Sequence, residues 1–524
     1  MMTTSAFEIL GPIMVGPSSS HTAGAARLAL VARSLVNDPL KHVRFVLHNS
    51  FSHTYKGHGS DRALVAGILG LMPDDTRMRH SFDLAKEAGV EIEFEEAGDD
   101  PGLHPNTVDI CMTTTEGNTL EVRGESLGGG RVRLSSINGV EVDLTGDYPT
   151  LFVGHWDRPG VLASITKLFS DIKANIATIR TYRKSRGGRA YTIVETDEPL
   201  DASFIQAIHK LPHIVETATV KVPGTSDVAP DVQLTYGFDN GAELLALCEK
   251  THRSIGQIMA AREAELNASD VQTQHTRMAH VAQVMEEEST KPLTSPQKSL
   301  GGFLYGQAQE VAKHANEFAP SLLGTTLTRA VARAMAVLER SAAMGVIVAA
   351  PTAGSAGVVP GAVLACAESL GSSEQDVLNA LWCSAAIGAI ITRNASVAGA
   401  EGGCQAEVGS AAAMAAAALV ELHGGSAVQA LEAASISIAN LLGLVCDPVR
   451  GLVEFPCQDR NAIGVSDAFS AAQLALSNVG CPVTFDDAVS VMYDVGKAIP
   501  ASLRETALGG LATAPSCLSC RACG

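Results

Sequence analysis

Aromatic residues are scarce in this 524-residue chain: two Trp, seven Tyr and fourteen Phe amount to 4 %. A core poor in rings but rich in Ala and Gly is filled by helices packed closely through small side chains. Positive charge is also short. Lys plus Arg number 38 against 56 Asp plus Glu, a net of −18, which repels phosphate backbones and anionic headgroups and makes nucleic acid and membrane poor partners. Charged residues reach only 18 % against 46 % hydrophobic, too apolar a composition for disorder. No charge occurs between Arg340 and Glu368, yet Pro351 and Pro360 with Thr352, Gly354, Ser355 and Gly357 break that run. It reads as two buried helices joined by a turn rather than as a membrane span. Met1 to Asn37 carries no basic-then-apolar leader pattern, and eleven cysteines is an odd number. Reduced thiols in the cytoplasm are therefore expected, and not a disulfide scaffold. Lysine is missing from His314 to Gly496, so pyridoxal phosphate, which needs a Schiff-base lysine beside a phosphate cradle, has no anchor there. The Gly128 to Gly130 turn with distant Lys56 or Lys86 is a weak substitute.

At about 100 to 200 residues per domain the length allows two to four domains. The first region, 1–147, reads as mixed α/β. Val43 to Leu47, Val90 to Phe94 and Val108 to Met112 have strand length and β-branched content, while Ala23 to Val36 and Arg62 to Leu71 are helical in period. Residues 148–222 form a compact βαββαβ pattern: a strand at Leu151 to Gly154, the turn Asp157-Arg158-Pro159-Gly160, a helix from Val161, strands Ile176 to Arg183 and Arg189 to Glu195, a helix from Ala202 and a strand from Ile214. A Pro/Gly/Ser/Asp-rich linker follows at 223–231. From 232 to 524 the chain is helical in character, with Val331 to Leu338, Val377 to Ile391, Ser410 to Leu422 and Ala427 to Leu442 forming an Ala-rich interior. The fold class is thus multidomain α+β, ending in an all-α domain.

The densest polar motif is Gly16-Pro17-Ser18-Ser19-Ser20-His21-Thr22, which runs into an Ala/Gly helix. It reads either as a helix N-cap or as a carboxylate or phosphate site, because hydroxyls and unsatisfied N–H groups at a helix start favour an anion. His48, His53 and His58 supply further proton-transfer groups, His58 within Lys56-Gly57-His58-Gly59-Ser60-Asp61. Cys404, Cys446 and Cys457 each sit beside Gly or Pro at a turn. Their spacing matches neither a zinc finger nor a ferredoxin run, so by itself it leaves buried inert thiols as an equal alternative. The tail holds Cys517, Cys520 and Cys523.

Taken together, Gly16 to Thr22, His58-Gly59-x-Asp61, Asn394-Ala395-Ser396 to Cys404, and Cys446-Asp447-Pro448 to Cys457 followed by Asp459-Arg460-Asn461-Ala462 resemble the bacterial iron-sulfur L-serine dehydratases over essentially the whole chain. The resemblance implies an N-terminal β-type domain related to an allosteric serine-binding fold and a C-terminal helical catalytic domain. Residues 148–222 resemble an ACT domain, which implies an amino-acid effector and, because such modules usually pair, a homodimer. By analogy Cys404, Cys446 and Cys457 hold three irons of a 4Fe-4S cluster, leaving one iron for substrate or a displaceable ligand. A tail thiol fills that position in some relatives. Three tail cysteines follow Gly509-Gly510-Leu511-Ala512 here, and Cys517, nearest that element, is the expected fourth ligand. From the polar motifs themselves, His58 is the expected proton-transfer group with His21 as the alternative base, and Ser18, Ser19 and Ser20 are the expected substrate-binding groups. The implied reaction takes L-serine to pyruvate and ammonia. A related iron-sulfur lyase acting on threonine and a non-catalytic amino-acid sensor are the alternatives. The loop Pro351-Thr352-Ala353-Gly354-Ser355 departs from the family's Pro-Thr-Asn-Gly-like pattern.

Overall fold

The computed structural model describes residues 4–128, 131–146, 148–220, 234–317 and 321–518. The expected linker at 223–231, Gly129 and Gly130 of the glycine turn, and Cys520 and Cys523 lie outside the described residues. The chain forms two compact bodies, one of residues 1–19, 56–59 and 228–524, the other of 20–55 and 60–227.

The second body holds two sheets. In the first, strands run in the order Glu91–Gly98, Leu40–His48, Thr107–Thr114, Thr119–Gly128, Arg131–Ile137, Val140–Leu144; the first pair is parallel and the others antiparallel. Along Leu40–His48 the buried residues Val43, Phe45 and Leu47 alternate with more exposed ones, as a strand with one covered face requires. The helices Gly24–Ser34 and Ser60–Ile68 pack together, the first of them also against strands Thr119–Gly128 and Arg131–Ile137. Small residues set the spacing: a Cβ at Gly67 would overlap the Ala26 carbonyl and lie 2.6 Å from Ala29 Cβ. The sparse rings and plentiful Ala and Gly are explained by such approaches.

The second sheet is antiparallel, ordered Ile214–Val220, Thr150–Trp156, Arg189–Thr196, Ile176–Arg183. Helices Val161–Asp171 and Ala202–His209 cover one face through Leu151, Val153, Ile165, Phe169, Val194, Phe204 and Ile208. On the strands' other face Phe152 and Tyr191 stack at 5.3 Å, both buried, and the Tyr191 hydroxyl accepts from Asn138 Nδ2 at 3.0 Å. Arg180 pairs with Asp143 at 2.6 Å. These ties run from the βαββαβ module to the preceding hairpin.

The first body is helical, as its composition predicts. Every residue of Ser410–Val420 is buried, and the helix Ser410–Leu422 packs against Val358–Leu370, Glu374–Asn394, Ala427–Leu441 and Cys457–Leu476. Among the described residues two stretches, Ala353–Leu370 and Glu374–Asn394, are long and apolar enough to cross a membrane, but both are mostly buried in the fold. The N-terminal residues also belong to this body. Ile13–Val15 pairs antiparallel with Val346–Val348, and Glu263 accepts from the Ser5 hydroxyl at 2.5 Å and the Ala6 amide at 2.8 Å. This strand pairing between residues more than 300 apart has no sequence-local signature.

Candidate active site

Three thiols converge in the first body. Cys404 lies between the short helix Gly399–Gly402 and the π-helical turn Gln405–Gly409. Gly403 before it has φ 75°, and a Cβ there would stand 2.9 Å from Leu444 O and Ile499 Cδ1, so only glycine turns the chain this tightly. Cys446 is fixed by its backbone: its N–H donates to Leu503 O at 2.9 Å, and its carbonyl accepts from Glu505 N–H at 2.8 Å. Cys457 opens the helix Cys457–Leu476, where the helix dipole favours a thiolate. Cys446 and Cys457 line one small cavity together with Pro17, Ser18, Gly354, Glu407, Pro448, Val453 and Glu505. Glu407, Cys457 and Glu505 keep some accessible area because they face this cavity, although protein surrounds them closely.

The electrostatics follow from that enclosure. Burial, then Glu407, pushes the Cys404 thiol up to about 12, with Arg460 acting in the opposite direction. Burial drives Cys446 and Cys457 well above the ordinary thiol range; Glu505 and Glu407 add to it at Cys446, and Cys404 and Glu407 at Cys457. Burial likewise raises both Glu407 and Glu505, and the negative charge of Glu407 adds to the rise at Glu505. Against these acids stands Arg460. Burial opposes its charge, but Cys404, Asp447 and Cys457 more than offset that and hold it above its usual value. Arg460 Nη2 lies 2.8 Å from Asp447 Oδ1, where the contact is ionic rather than an aligned hydrogen bond, and Nη1 donates to Val445 O at 2.8 Å.

Glu407 is boxed in. It accepts from Thr352 Oγ1 at 2.8 Å, a Cβ at Gly354 would come within 2.9 Å of one oxygen, and a Cβ at Gly399 within 2.7 Å of the other and 3.4 Å of Cys446 Sγ. Asn461 holds the loop beneath: its side chain donates to Gly354 O at 2.8 Å and accepts from Gly357 N–H at 3.1 Å. The departing loop 351–355 thus touches the site through Thr352 and Gly354.

The serine motif divides between the bodies after Ser19. Ser18 lines the cavity and Ser19 Oγ accepts from Ala353 N–H at 2.9 Å. In the second body Ser20 Oγ lies 2.9 Å from His21 Nδ1, and His21 Nε2 lies 2.8 Å from Ser50 Oγ. The N-cap alternative fails for the helix Gly24–Ser34: Ala23 precedes it in helical conformation with no side-chain cap bond, because the π-helical turn Ser19–Ala23 already leads into it. His58 ends the helix Asn49–His58 and is fully buried in the first body, where burial lowers its ring pKa to about 4. The neighbouring Gly57 abuts Gly451 and Leu452, two positions before cavity-lining Val453, but His58 itself is not among the lining residues. His48 and His53 are engaged elsewhere, at 3.0 Å from Asp109 and 2.8 Å from Asp99. Cys517 is half-buried in the short helix Pro515–Leu518 and does not line the cavity.

Among the described residues no group of three or more His, Cys, Asp or Glu is arranged to hold a single metal ion. A cluster makes a different demand, since each thiolate ligates its own iron and the sulfurs need not share one centre. The donor set suits that demand: three thiols and two carboxylates, all shifted upward by enclosure, surround a site with one arginine. Added positive charge would relieve this cost. Sequence reasoning passed over Glu407 and Glu505. Glu407 had a signal, as one of two charges in the run from Ala395 to Val420; Glu505, in an ordinary polar segment, had none.

Comparison with known proteins is consistent along the whole chain. Residues 5–136 match the serine dehydratase beta chain family, 150–213 the ACT domain and 250–512 the serine dehydratase alpha chain family. L-serine dehydratase 2 of Escherichia coli is 32 % identical over 527 aligned positions, covering 97 % of this chain and 98 % of that protein. The chain belongs to the serine dehydratase family. In other relatives of this family the two ends are separate chains. The L-serine dehydratase alpha chain of Peptoniphilus asaccharolyticus is 44 % identical over 52 % of this chain and 94 % of its own length. Its beta chain is 43 % identical over 40 % of this chain and 94 % of its own length. The expected order of β-type, ACT and helical α-type domains is borne out.

Proposed function

We propose that this serine dehydratase family member converts L-serine to pyruvate and ammonia with the help of a 4Fe-4S cluster held by Cys404, Cys446 and Cys457, with Cys517 as the displaceable fourth ligand. The convergence of buried thiols and carboxylates on a cavity lined by Ser18 carries this reading. When bound, such a cluster supplies Lewis acidity toward the substrate hydroxyl, a poor leaving group. The protein's own residues do the rest. Ser18 and Ser19, which belong to the same body as the thiols, orient the substrate carboxylate. His58, with its pKa lowered by burial to about 4, is in the proton-accepting form at neutral pH and takes the Cα proton; near-normal turnover in His58→Ala would transfer the role to His21. Loss of the Cα proton and of the β-hydroxyl as water leaves 2-aminoacrylate, which tautomerises and hydrolyses to pyruvate and ammonia. Thr352, Gly354 and Gly399 hold Glu407 rigidly against the cavity.

The ACT domain binds an amino acid at the Asp157 to Gly160 turn, in a homodimer. Gly160 has φ 90° with open space around it, while Asp157 accepts from Gly187 N–H at 2.9 Å and pairs with Arg183 at 2.5 Å, fixing the turn. All nine described cysteines are free, which suits a reducing cytoplasm. The test is anaerobic purification with iron and sulfide analysis and a pyruvate assay. A brown protein carrying about four of each that forms pyruvate from L-serine supports the reading. Preference for L-threonine transfers it to that substrate, and a colourless, inactive protein overturns it in favour of a sensor.

A further inference from the structure

The segment Ala501–Thr513 approaches the thiol cavity with little apolar burial of its own. Leu508 is 66 % and Leu511 40 % exposed, so packing contributes little to holding it there. Polar ties do. Leu503 O and Glu505 N–H bracket Cys446 through its N–H and its carbonyl, at 2.9 and 2.8 Å, and Arg504 Nη1 donates to Glu401 O at 3.0 Å. Farther along, Leu511 N–H donates to Asp447 Oδ2 at 2.7 Å. Asp447 is 3 % exposed and its other oxygen faces Arg460, the cation beside Cys404 and Cys457. Gly510 has φ +61°, and a Cβ there would overlap the Asp447 carboxylate, so the backbone sits directly on that side chain.

The geometry points to Asp447 as a positioning residue: it latches the segment 503–513 onto the cavity and so keeps Glu505 in the cavity wall. This inference rests on the proposed role of the thiol cavity. The latch works because one buried carboxylate serves two partners. Charge-assisted acceptance from Leu511 is stronger than a neutral bond, and Arg460 fixes the carboxylate's orientation from the opposite side. Removing either the carboxylate or the close backbone approach opens the same contact. Segment 503–513 then leaves the wall while the helices behind it keep their packing.

The test compares the full chain with D447A, G510A and the double variant, each as apo protein and after anaerobic cluster loading. Amide hydrogen exchange across 500–518 and the rate of iodoacetamide labelling of Cys446 and Cys457 in the apo form are the readouts. Each single variant is expected to speed exchange at 503–513 about tenfold or more, corresponding to loss of one charge-assisted bond. Exchange in Ser410–Leu422 and Cys457–Leu476 stays unchanged, thiol labelling accelerates, and the double variant is no worse than the singles because both act on one contact. Unchanged protection in either single variant, protection lost equally across the helices, or additive effects in the double variant overturns the latch. Exchange and labelling are read without turnover, so a wild-type protein that makes no pyruvate refutes the proposed function and leaves the latch measurement standing.

Discussion

His58 offers the sharpest physical test. Its side chain is fully buried, and burial lowers the ring pKa from 6.5 to about 4. That difference corresponds to about 3 kcal/mol between the two protonation states. In the unfolded chain the ring takes up a proton as pH falls through about 6.5, while in the folded chain it stays neutral until about 4. Between these values the unfolded state binds more protons, so the stabilisation is complete above about 6.5 and drains away as pH falls toward 4. From pH 7 to pH 5 the loss from this one residue is about 2 kcal/mol. His58→Gln removes the titration. Its own packing cost is present at both pH values and cancels when the wild-type-minus-variant difference is compared between them. With two bodies in one chain, unfolding is not a single transition, so the primary assay is NMR of histidine labelled with carbon-13, the His58 resonance being assigned by its disappearance in the variant. A midpoint near 4 is expected, with a urea difference that narrows by about 2 kcal/mol from pH 7 to 5. A ring titrating at 6 or above refutes the burial argument. In catalysis the same ring predicts that kcat/KM keeps no acid limb near 6.5 from this group, and that H58A lowers kcat by about 10²- to 10⁴-fold with little change in KM.

Three further outcomes follow from the cavity and the regulatory module. Cys404→Ser, Cys446→Ser and Cys457→Ser should each abolish visible absorbance, iron content and pyruvate formation together, because serine oxygen is a poor replacement for a soft thiolate; Cys111→Ser and Cys366→Ser should keep their iron, and full iron in any of the first three sinks that ligand. Gly399→Ala should press on the Glu407 carboxylate from 2.7 Å, an overpacking cost of about 1 to 3 kcal/mol that, felt in the transition state, slows turnover roughly 5- to 150-fold; turnover within twofold of wild type would show that Glu407 is free to move. Gly160→Val strains a residue at φ 90°, so the dependence of rate on added amino acids should change with iron content unaltered, and identical substrate curves with and without each amino acid in both proteins would leave the ACT domain no regulatory part.

What could be read without coordinates depended on how local each signal is. The βαββαβ unit was legible almost to the residue, since its turns and periods lie within a short span: the helix from Val161, the strand Ile176–Arg183 and the helix from Ala202 start where the pattern put them. The Ala-rich helices were equally plain. Long-range pairing was not. Ile13–Val15 reads as part of an α/β domain, yet its ladder partner is Val346–Val348, and no periodicity links residues so far apart. The serine motif failed as an N-cap because the chain enters the helix Gly24–Ser34 through a π-helical turn, whose i to i+5 bonding leaves no residue pattern to recognise.

The site shows the same division, and its reason is energetic. Cysteines beside glycine or proline announce themselves because thiolates must sit where the backbone can turn tightly, as Gly403 does before Cys404. Carboxylates do not, since acids are common on surfaces and only burial makes one unusual. Glu505 becomes distinctive when two backbone bonds draw its segment alongside Cys446 and its charge must be given up to enclosure. A protein that keeps two carboxylates and three thiols together around one arginine sacrifices stability to do so. Replacing Glu407 by Gln should therefore raise the melting temperature of the apo protein by relieving burial of an acid, while lowering cluster retention and turnover. A variant less stable than wild type in the apo state would show that Glu407 supports the fold through its bond to Thr352, and not the cavity's chemistry.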